Sequence, residues 1–395
     1  MVVEVNVTII DADLIGRKNH RFPNLVCMKL SGYYKEMGAV TLKTDYEGLD
    51  EYDKVFIAKV FTDTVVPNDV LCRQNVTYGG TGFFYDKAKP LPEEIEHHMP
   101  DYHLYDDFVK SQLENGVSKN NLKFYTDYSI GYLTRGCFRQ CPFCVNQNKT
   151  RVIAHSPIRE FYDESRPKLC FLDDNFFGLP EWESVLNEVN NIGIPFQFKQ
   201  GMDERILTDN KCQKLFSMRY DGIPTFAFDN IADKDIIIDK LKMIRRYTDR
   251  ECRFYVLCGF DRNGKYDEDF WVQDIADTFE RIHILFEYHC FAYIMRYEKY
   301  RESPWYGMYV DLAAWCNQPS MCRHKTFPEL MAMRNKKKPY VMPMYLQRSI
   351  QRLQRGIIIL QETVFNIFID NYSYTMYNRR CQLKGDRNAN IRFTV

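Results

Sequence analysis

The stretch Thr134–Asn146 reads TRGCFRQCPFCVN and holds three of the thirteen cysteines of this 395-residue chain. Cys137, Cys141 and Cys144 have the spacing C-x3-C-x2-C. The segment YSIGYLT, which ends at Thr134, precedes the cysteines and is typical of a buried β-strand. The thiols therefore lie on a loop after that strand. A structural zinc site normally closes with four protein ligands, and no fourth Cys or His lies at ordinary spacing beyond Cys144. Three thiolates on a loop fit a [4Fe–4S] cluster with one iron left open.

The bulk composition describes a globular protein larger than one small domain. The chain is 45% apolar and has no net charge. No basic-then-apolar leader opens it, and its longest apolar runs are too short to cross a bilayer, so we expect a cytoplasmic protein without a membrane segment. Thiols stay reduced in that compartment, and thirteen irregularly spaced cysteines are not a disulfide framework. A tight cysteine group there indicates a metal site.

Strand and helix patterns alternate along two parts of the chain. Residues 1–110 alternate through VEVNVTIID, a helix in FPNLVCMKLSGYYKEMG, then AVTLKT and KVFIAKVF, which predicts a small Rossmann-like α/β domain. Residues 123–300 contain six buried strands separated by helical segments. The six are YSIGYLT, KLCFLDDNFF, PFQFKQGMD, TFAFDN, RFYVLCGFD and HCFAYIMRYE. They predict a partial, TIM-like (β/α)6 barrel, with its reactive groups on the loops after the strands.

The last region, residues 301–395, is predicted to be mainly helical and basic. Its longest helix candidate is PMYLQRSIQRLQRGIIILQETVFNIFI. From Arg323 to Val395 there are fourteen Lys/Arg and four Asp/Glu, so this tail carries about +10 and the rest of the chain about −10. The run RNKKKP and the set Arg348, Arg352 and Arg355 would suit the phosphates of RNA or DNA. Arginines at this spacing also describe the solvated face of an ordinary helix.

The cysteine loop and its place after the first barrel strand resemble the radical SAM superfamily. The defining motif of that family is C-x3-C-x2-C with an aromatic residue before the last cysteine, and Phe143 has that position. The resemblance implies that Cys137, Cys141 and Cys144 bind a [4Fe–4S] cluster whose open iron chelates S-adenosylmethionine (SAM). It also implies reductive cleavage of SAM to a 5′-deoxyadenosyl radical. The alternatives are a zinc knuckle completed by a distant ligand, or three unrelated thiols.

Residues at the other strand ends are candidates for SAM contacts. The resemblance places the methionine amino group of SAM at FLDDNFFG, in an acidic variant of the family's glycine-rich segment. Arg205 would bind the SAM carboxylate, Asp229 and Asn230 would hold the ribose, and Met295 would lie near adenine. Each of these side chains is equally well read as ordinary strand-end polarity or packing. The full set of candidate SAM contacts is Phe143, Asp173, Asp174, Asn175, Gln200, Asp203, Arg205, Asp229, Asn230 and Met295.

The N-terminal region resembles a cobalamin-binding domain in outline. Such domains carry D-x-H-x-x-G after the first strand, with the histidine supplying an imidazole to cobalt. Here the segment is Asp11-Ala12-Asp13-Leu14-Ile15-Gly16, so a carboxylate, Asp13, has the histidine's place. A glycine-rich turn with Gly79, Gly80 and Gly82 follows a later strand and is equally an ordinary sheet ending. We therefore expect a degenerate domain that does not bind cobalamin.

A second cysteine pair lies beyond the barrel, with a histidine close by. Cys316, Cys322 and His324 would suit an auxiliary cluster or zinc, but their spacing matches no established pattern, and a structural or incidental role is favoured.

The predicted function is that of a radical SAM enzyme, reduced by a flavodoxin or ferredoxin, which abstracts hydrogen from an unidentified substrate. The charge asymmetry makes nucleic-acid modification, such as tRNA methylthiolation, the first hypothesis. Against it, the front cluster of methylthiotransferases has three cysteines, whereas Cys27 and Cys72 are two and widely spaced. Modification of peptides or small molecules is the alternative within the class. A non-catalytic iron–sulfur or zinc protein that binds nucleic acid is the alternative outside it.

Overall fold

A computed structural model describes residues 5–337 of the chain. These residues divide into two compact units, the first formed by residues 5–202 with Lys214–Gly222 and the second by Asp203–Gln213 with residues 223–337. The whole of the predicted long helix, with Arg348, Arg352 and Arg355, and most of the basic tail lie outside the described residues. In the part of the chain that is described, no helix combines the length and the hydropathy needed to cross a bilayer.

The first unit opens with a four-stranded sheet in the order β2-β1-β3-β4, in which all neighbours are parallel. Its strands are β1 Val7–Asp11, β2 Val40–Lys43, β3 Lys54–Ala58 and β4 Val76–Gly79. The helices along this part of the chain are α1 Ala12–Gly16, α2 Leu25–Lys35, α3 Asn68–Leu71, α4 Thr81–Phe84, α5 Glu93–Glu96, α6 Asp106–Glu114 and α7 Lys119–Thr126. The parallel α/β character predicted for residues 1–110 is confirmed.

Alternate residues of β1 point to opposite faces of this sheet, and each face packs into its own core. Val7 and Ile9 pack into a core with Met28 of α2. Ile10 belongs to a second core with Val55. Two buried faces explain why these strands read as continuous apolar runs in the sequence. The helix α2 begins where the side chain of its N-cap, Asn24, accepts a hydrogen bond from the Val26 N–H at 3.1 Å.

A second parallel sheet of the first unit carries the cysteine loop. Its order is β5-β8-β9. A short antiparallel pair, β6 and β7, lies between β5 and β8 along the chain. The elements are β5 Tyr128–Gly131, β6 Thr134–Arg135, β7 Ile153–Ala154, β8 Lys168–Phe171, α8 Trp182–Ile192 and β9 Phe196–Phe198. Gly193 ends α8 with φ 75°, a conformation that favours glycine.

The second unit contains a third parallel sheet in the order β10-β11-β12. Its strands are β10 Thr225–Ala227, β11 Cys252–Cys258 and β12 Cys290–Arg296. The helix α9 Asp209–Ser217 contains residues of both units, and the helices that follow it are α10 Lys234–Tyr247, α11 Glu268–Glu287, α12 Tyr306–Cys316, α13 Pro319–His324 and α14 Phe327–Lys337. From residue 301 to Lys337 the chain is mainly helical, in agreement with the character predicted for this region.

The six predicted barrel strands are all present, as two parallel sheets of three strands each. The class is therefore α/β with parallel sheets, and their assembly into a partial (β/α)6 barrel remains a prediction. The segment YSIGYLT is not one strand, because β5 ends at Gly131 and Thr134 already belongs to β6.

Candidate functional site

The cysteine loop is fixed at both ends. Thr134 pairs with Ala154 and Arg135 with Ile153, so β6 and β7 close residues 136–152 into a loop. Gly136 begins the loop with φ 92°, and a Cβ there would lie 2.5 Å from the carbonyl oxygen of Arg151. Only glycine fits that conformation and that close backbone approach. The sequence motif thus includes the residue that allows the loop to leave the hairpin.

The three loop cysteines are half-buried, whereas eight of the other nine described cysteines are buried. The N–H of Arg139 donates to Cys137 Sγ, and the N–H of Asn146 donates to Cys144 Sγ, both at 3.4 Å. A turn in which the Cys144 N–H donates to the Cys141 carbonyl at 2.9 Å holds the last two cysteines together. Backbone donors aimed at sulfur stabilise thiolate, the form that binds metal.

The segment after β8 holds the start of this loop. Both side-chain oxygens of Asp173 accept backbone N–H groups, from Thr134 at 2.7 Å and Leu133 at 3.2 Å. The Thr134 hydroxyl also donates to Asp173 at 2.6 Å. Asp174 accepts the Gly136 N–H at 2.8 Å. These two carboxylates therefore position the backbone just before Cys137.

Asn175 connects the same segment to a cysteine sulfur. Its Nδ2 donates to Cys137 Sγ at 3.4 Å. The side chain is only 3% exposed, and its Oδ1 is buried without a hydrogen-bond partner in the described structure. Buried amide oxygens normally accept a hydrogen bond. This oxygen therefore marks a place where a ligand with a polar donor group would supply the missing partner.

The electrostatics of the loop favour an anionic group. Residues 136–152 contain Arg139, Lys149 and Arg151 and no Asp or Glu. Burial raises the pKa of Asp173 to about 7, although its hydrogen bonds with Thr134 and Leu133 act in the opposite direction. The charge next to the thiols is thus mainly positive, as suits three thiolates.

Two residues of the N-terminal part contact the loop and were not found by sequence reasoning. The hydroxyl of Tyr85 donates to the Phe143 carbonyl at 2.7 Å, and Asn148 Nδ2 donates to Asp86 at 2.8 Å. Tyr85 has φ 48°, an uncommon conformation for a residue other than glycine. The run GFFYD after the glycine-rich turn gives no sign of this contact.

A largely apolar cavity of about 500 Å³ lies beside the loop, within the first unit. Its lining includes Phe138, which directly follows Cys137, and Leu179, which follows the acidic segment. Phe138 and Ile153 are partly exposed there. The cavity is therefore a candidate contact surface next to the cysteines.

Gln200 is the remaining candidate of the first unit, and its side chain is exposed. The other candidates belong to the second unit, where three charged side chains form one group. Arg205 Nε lies 2.8 Å from Asp203 Oδ1, and Arg205 Nη1 lies 2.9 Å from Asp233 Oδ2. These ion pairs fix the guanidinium that was predicted to bind the SAM carboxylate.

Glu204 lies between the candidates Asp203 and Arg205 in the sequence, and sequence reasoning did not identify it. It is buried, and its Oε2 accepts the Ala227 N–H at 3.1 Å. Burial, with the nearby charge of Asp203, raises the pKa of Glu204 to about 8. Perturbed acids are frequent at functional sites, and the run Asp-Glu-Arg after a strand is the signal that was available.

The last three predicted SAM contacts lie at the carboxyl ends of β10 and β12. Asp229 accepts the Leu257 N–H at 3.1 Å, and burial raises its pKa. Asn230 accepts the Ala232 N–H at 3.0 Å and caps a short 3-10 turn. Met295 is 45% exposed. Asp229 and Asn230 thus have structural partners in their own unit, and a role in binding SAM remains a prediction for all three.

Asp13, which has the place of the cobalt-binding histidine, also has hydrogen-bond partners within the protein. Its two oxygens accept the Val60 N–H at 2.6 Å and the Thr64 hydroxyl at 2.5 Å. A Cβ on Gly16 would meet Thr64 Cγ2 at 2.9 Å, so the two loops are closely packed. Asp13 is buried, and both of its oxygens are engaged by protein groups close to the carboxyl end of β1.

Cys316 and Cys322 are buried on α12 and α13. Burial raises the pKa of Cys322 to about 11 and that of Cys316 further still, which favours the neutral thiols. Within residues 5–337, no three side chains of His, Cys, Asp or Glu converge as ligands of one metal ion. A [4Fe–4S] cluster instead places each thiolate on a different iron, so its ligands surround a cluster.

Comparison with known proteins gives no family. No protein-family model and no curated protein matches the chain. Among solved structures, it is similar to the cobalamin-dependent S-adenosylmethionine radical enzyme OxsB with aqua-cobalamin and S-adenosylmethionine bound, at 11% identity and a TM-score of 0.33. The match covers 74% of this chain and 49% of that one, so the chain spans about half its length. A likeness of this size transfers neither fold nor activity.

Proposed function

We propose that this chain is a radical SAM enzyme. The observation that supports it most is the loop itself, in which three half-buried cysteines share one hairpin and two of the sulfurs accept N–H donors. The unpaired Oδ1 of Asn175 and the absence of acidic residues from the loop fit a bound anionic cluster with a polar ligand. The residues present therefore fit the cofactor that the motif implies.

In this proposal Cys137, Cys141 and Cys144 hold a [4Fe–4S] cluster. When bound and reduced, such a cluster cleaves SAM to a 5′-deoxyadenosyl radical, which abstracts hydrogen from the substrate. The N–H groups of Arg139 and Asn146 and the amide of Asn175 stabilise the thiolates. Asp173 and Asp174 hold the loop in place through its backbone.

We propose that SAM is held at the strand ends. Asn175 Oδ1 and Asp174 are the candidates of the first unit for its ammonium group, because both present oxygen close to Cys137 or to the loop start. Arg205 is the candidate for its carboxylate, since the guanidinium is already oriented by Asp203 and Asp233. Phe143, Gln200, Asp229, Asn230 and Met295 complete the proposed set.

The reductant in this proposal is an acidic flavodoxin or ferredoxin, which the basic loop would attract. The N-terminal sheet is proposed as a scaffold without cobalamin, because Asp13 is held by Val60 and Thr64. RNA is the proposed substrate class, on the charge of the tail, and peptides or small molecules are the alternative.

Anaerobic reconstitution with iron and sulfide tests the proposal. The wild-type protein should bind about four irons and release 5′-deoxyadenosine from SAM after reduction, without the visible absorption of cobalamin. The triple variant Cys137→Ala, Cys141→Ala, Cys144→Ala should lose both iron and activity while remaining folded. Cys72→Ala, which removes an exposed thiol outside the loop, is the control. Retention of the cluster spectrum by the triple variant would contradict the assignment.

A further inference from the structure

A second pair of thiols lies in the second unit. Cys252 and Cys290 are the first residues of the neighbouring parallel strands β11 and β12, and they are register partners. Register partners of adjacent strands point to the same face, with a spacing of about 4.8 Å between the strands. That spacing lies inside the Cα range of about 4.4–6.8 Å that a disulfide accepts.

Arg245 of α10 joins the two sulfurs. Its Nη2 lies 3.1 Å from Cys252 Sγ and 3.9 Å from Cys290 Sγ, and its Nη1 donates to the Arg250 carbonyl at 2.9 Å. A guanidinium remains charged in proteins, so it stabilises a thiolate at the nearer sulfur. This arrangement gives the two cysteines unequal chemistry.

The inequality agrees with their proton affinities. Hydrogen bonding with Cys290 and the charge of Arg245 lower the pKa of Cys252, against the effect of burial, whereas burial raises the pKa of Cys290. Elsewhere in the second unit, burial raises the pKa of Cys212 to about 12 and the pKa of Cys258 still further. A lowered thiol pKa beside a cation marks a reactive cysteine.

We propose that Cys252 and Cys290 form a redox-active dithiol that a low-molecular-weight disulfide, such as oxidised glutathione, converts into a disulfide across β11 and β12. The Cys252 thiolate attacks one glutathione sulfur, forms a mixed disulfide and releases one glutathione thiolate. Cys290 then attacks Cys252 Sγ, and the second glutathione leaves and takes up the proton from Cys290. The Cys252 thiolate and the Cys290 thiol are oxidised to a disulfide, and one glutathione disulfide is reduced to one glutathione thiolate and one glutathione thiol.

The pair is separate from the proposed SAM contacts. It lies at the amino ends of β11 and β12, whereas Met295 lies near the carboxyl end of β12. Both sulfurs are buried, so the reagent must enter through a local opening of the strand ends. The reaction should therefore be slower than at the exposed Cys72.

Peptide mapping of the full-length protein tests the proposal. After anaerobic treatment with oxidised glutathione, alkylation with N-ethylmaleimide and trypsin digestion, residues 251–253 and 282–296 should appear as one disulfide-linked species. Reduction before digestion should remove it. If both peptides are recovered only in alkylated form, or if Cys252 is linked to a different cysteine, the proposal is wrong.

Variants test the roles of the three residues. Cys290→Ser should stop the reaction at a glutathione adduct on Cys252, and Arg245→Gln should slow formation of the disulfide about threefold for each unit by which the thiol pKa rises. Cys258→Ser is the matched control, since Cys258 is buried on the same strand with Arg296 as its register partner. Loss of the linked species in Cys258→Ser, or an unchanged rate in Arg245→Gln, would contradict the proposed chemistry.

Discussion

Two strands of the first unit lead into short acidic segments that are built alike and used differently. β1 leads into Asp11-Ala12-Asp13, and β8 leads into the segment Asp173-Asp174-Asn175. In both segments the first aspartate is buried, and burial raises its pKa to about 7. In both segments carboxylates accept backbone N–H groups from a neighbouring loop.

The difference lies in what the neighbouring loop carries. Asp13 holds Val60 and Thr64 in the segment that follows β3 of its own sheet. Asp173 and Asp174 fasten Thr134 and Gly136, which lead directly into the cysteines. In both places the acidic strand end positions a loop, and the chemistry of the site depends on the side chains of that loop.

The largest expected effect comes from removing each carboxylate in turn. Asp173→Ala leaves the N–H groups of Leu133 and Thr134 without their acceptor. Asp13→Ala does the same to the Val60 N–H and the Thr64 hydroxyl. Each change should lower the free energy of unfolding by about 2–4 kcal/mol, measured by urea denaturation. Only Asp173→Ala should also lower the iron bound on reconstitution, because only that segment positions the thiols.

The pair of variants is its own control, since both remove a buried aspartate of the first unit. Equal iron content in the two, after correction for the folded fraction, would show that the acidic segment beside the cysteine loop is only structural. Loss of iron in Asp13→Ala alone would contradict the assignment of thiol positioning to the Asp173 segment.

The strands were predictable because buried parallel strands read as continuous apolar runs bounded by polar residues. The error at YSIGYLT has a physical cause. The Leu133 and Thr134 N–H groups donate to Asp173, so the strand ends early and a hairpin begins. That partner is about forty residues away along the chain, beyond the reach of local pattern.

The cysteine site was predictable only in part. The spacing of Cys137, Cys141 and Cys144 is local, so the motif is visible in the sequence. The donation from Asn175 to Cys137 and that from Tyr85 to Phe143 depend on which loops meet in space. Burial of Glu204, and with it the raised pKa, is likewise a tertiary property that its charged neighbours conceal.

A middle-sized effect is expected from pH. Asp11 and Asp173 have native pKa values of about 7, against 3.8 for the ordinary side chain. The native state therefore keeps protons that the unfolded chain releases, and stability falls as pH rises from about 4 through about 7. Between pH 5 and pH 7 each group should contribute a fall on the order of 2 kcal/mol.

Urea unfolding at several pH values measures this slope. Asp11→Asn and Asp173→Asn should each flatten it, because an amide does not titrate. Asp63→Asn is a suitable control for loss of one acidic side chain, since Asp63 is exposed. A slope unchanged by both buried substitutions would mean that the two strand ends do not share the protonation behaviour that makes them comparable.

The smallest effect separates the two strand ends at the level of one hydrogen bond. Asn175→Ala removes the Nδ2 donor to Cys137 Sγ, and nothing at the Asp13 segment corresponds to that donor. Stability should change by about 1 kcal/mol or less, since the same substitution also removes the buried Oδ1 that has no partner.

A donor to a cluster ligand stabilises the more reduced, more negative state, so the midpoint potential of the reconstituted protein should fall. A loss of about 1 kcal/mol corresponds to roughly 40 mV for one electron, which redox titration followed by electron paramagnetic resonance resolves. Asn24→Ala removes an amide that caps α2, outside the proposed site, and should leave the potential unchanged. If both variants have the wild-type potential, the amide of Asn175 serves packing rather than the thiolate, and the second acidic segment differs from the first only in the loop that it holds.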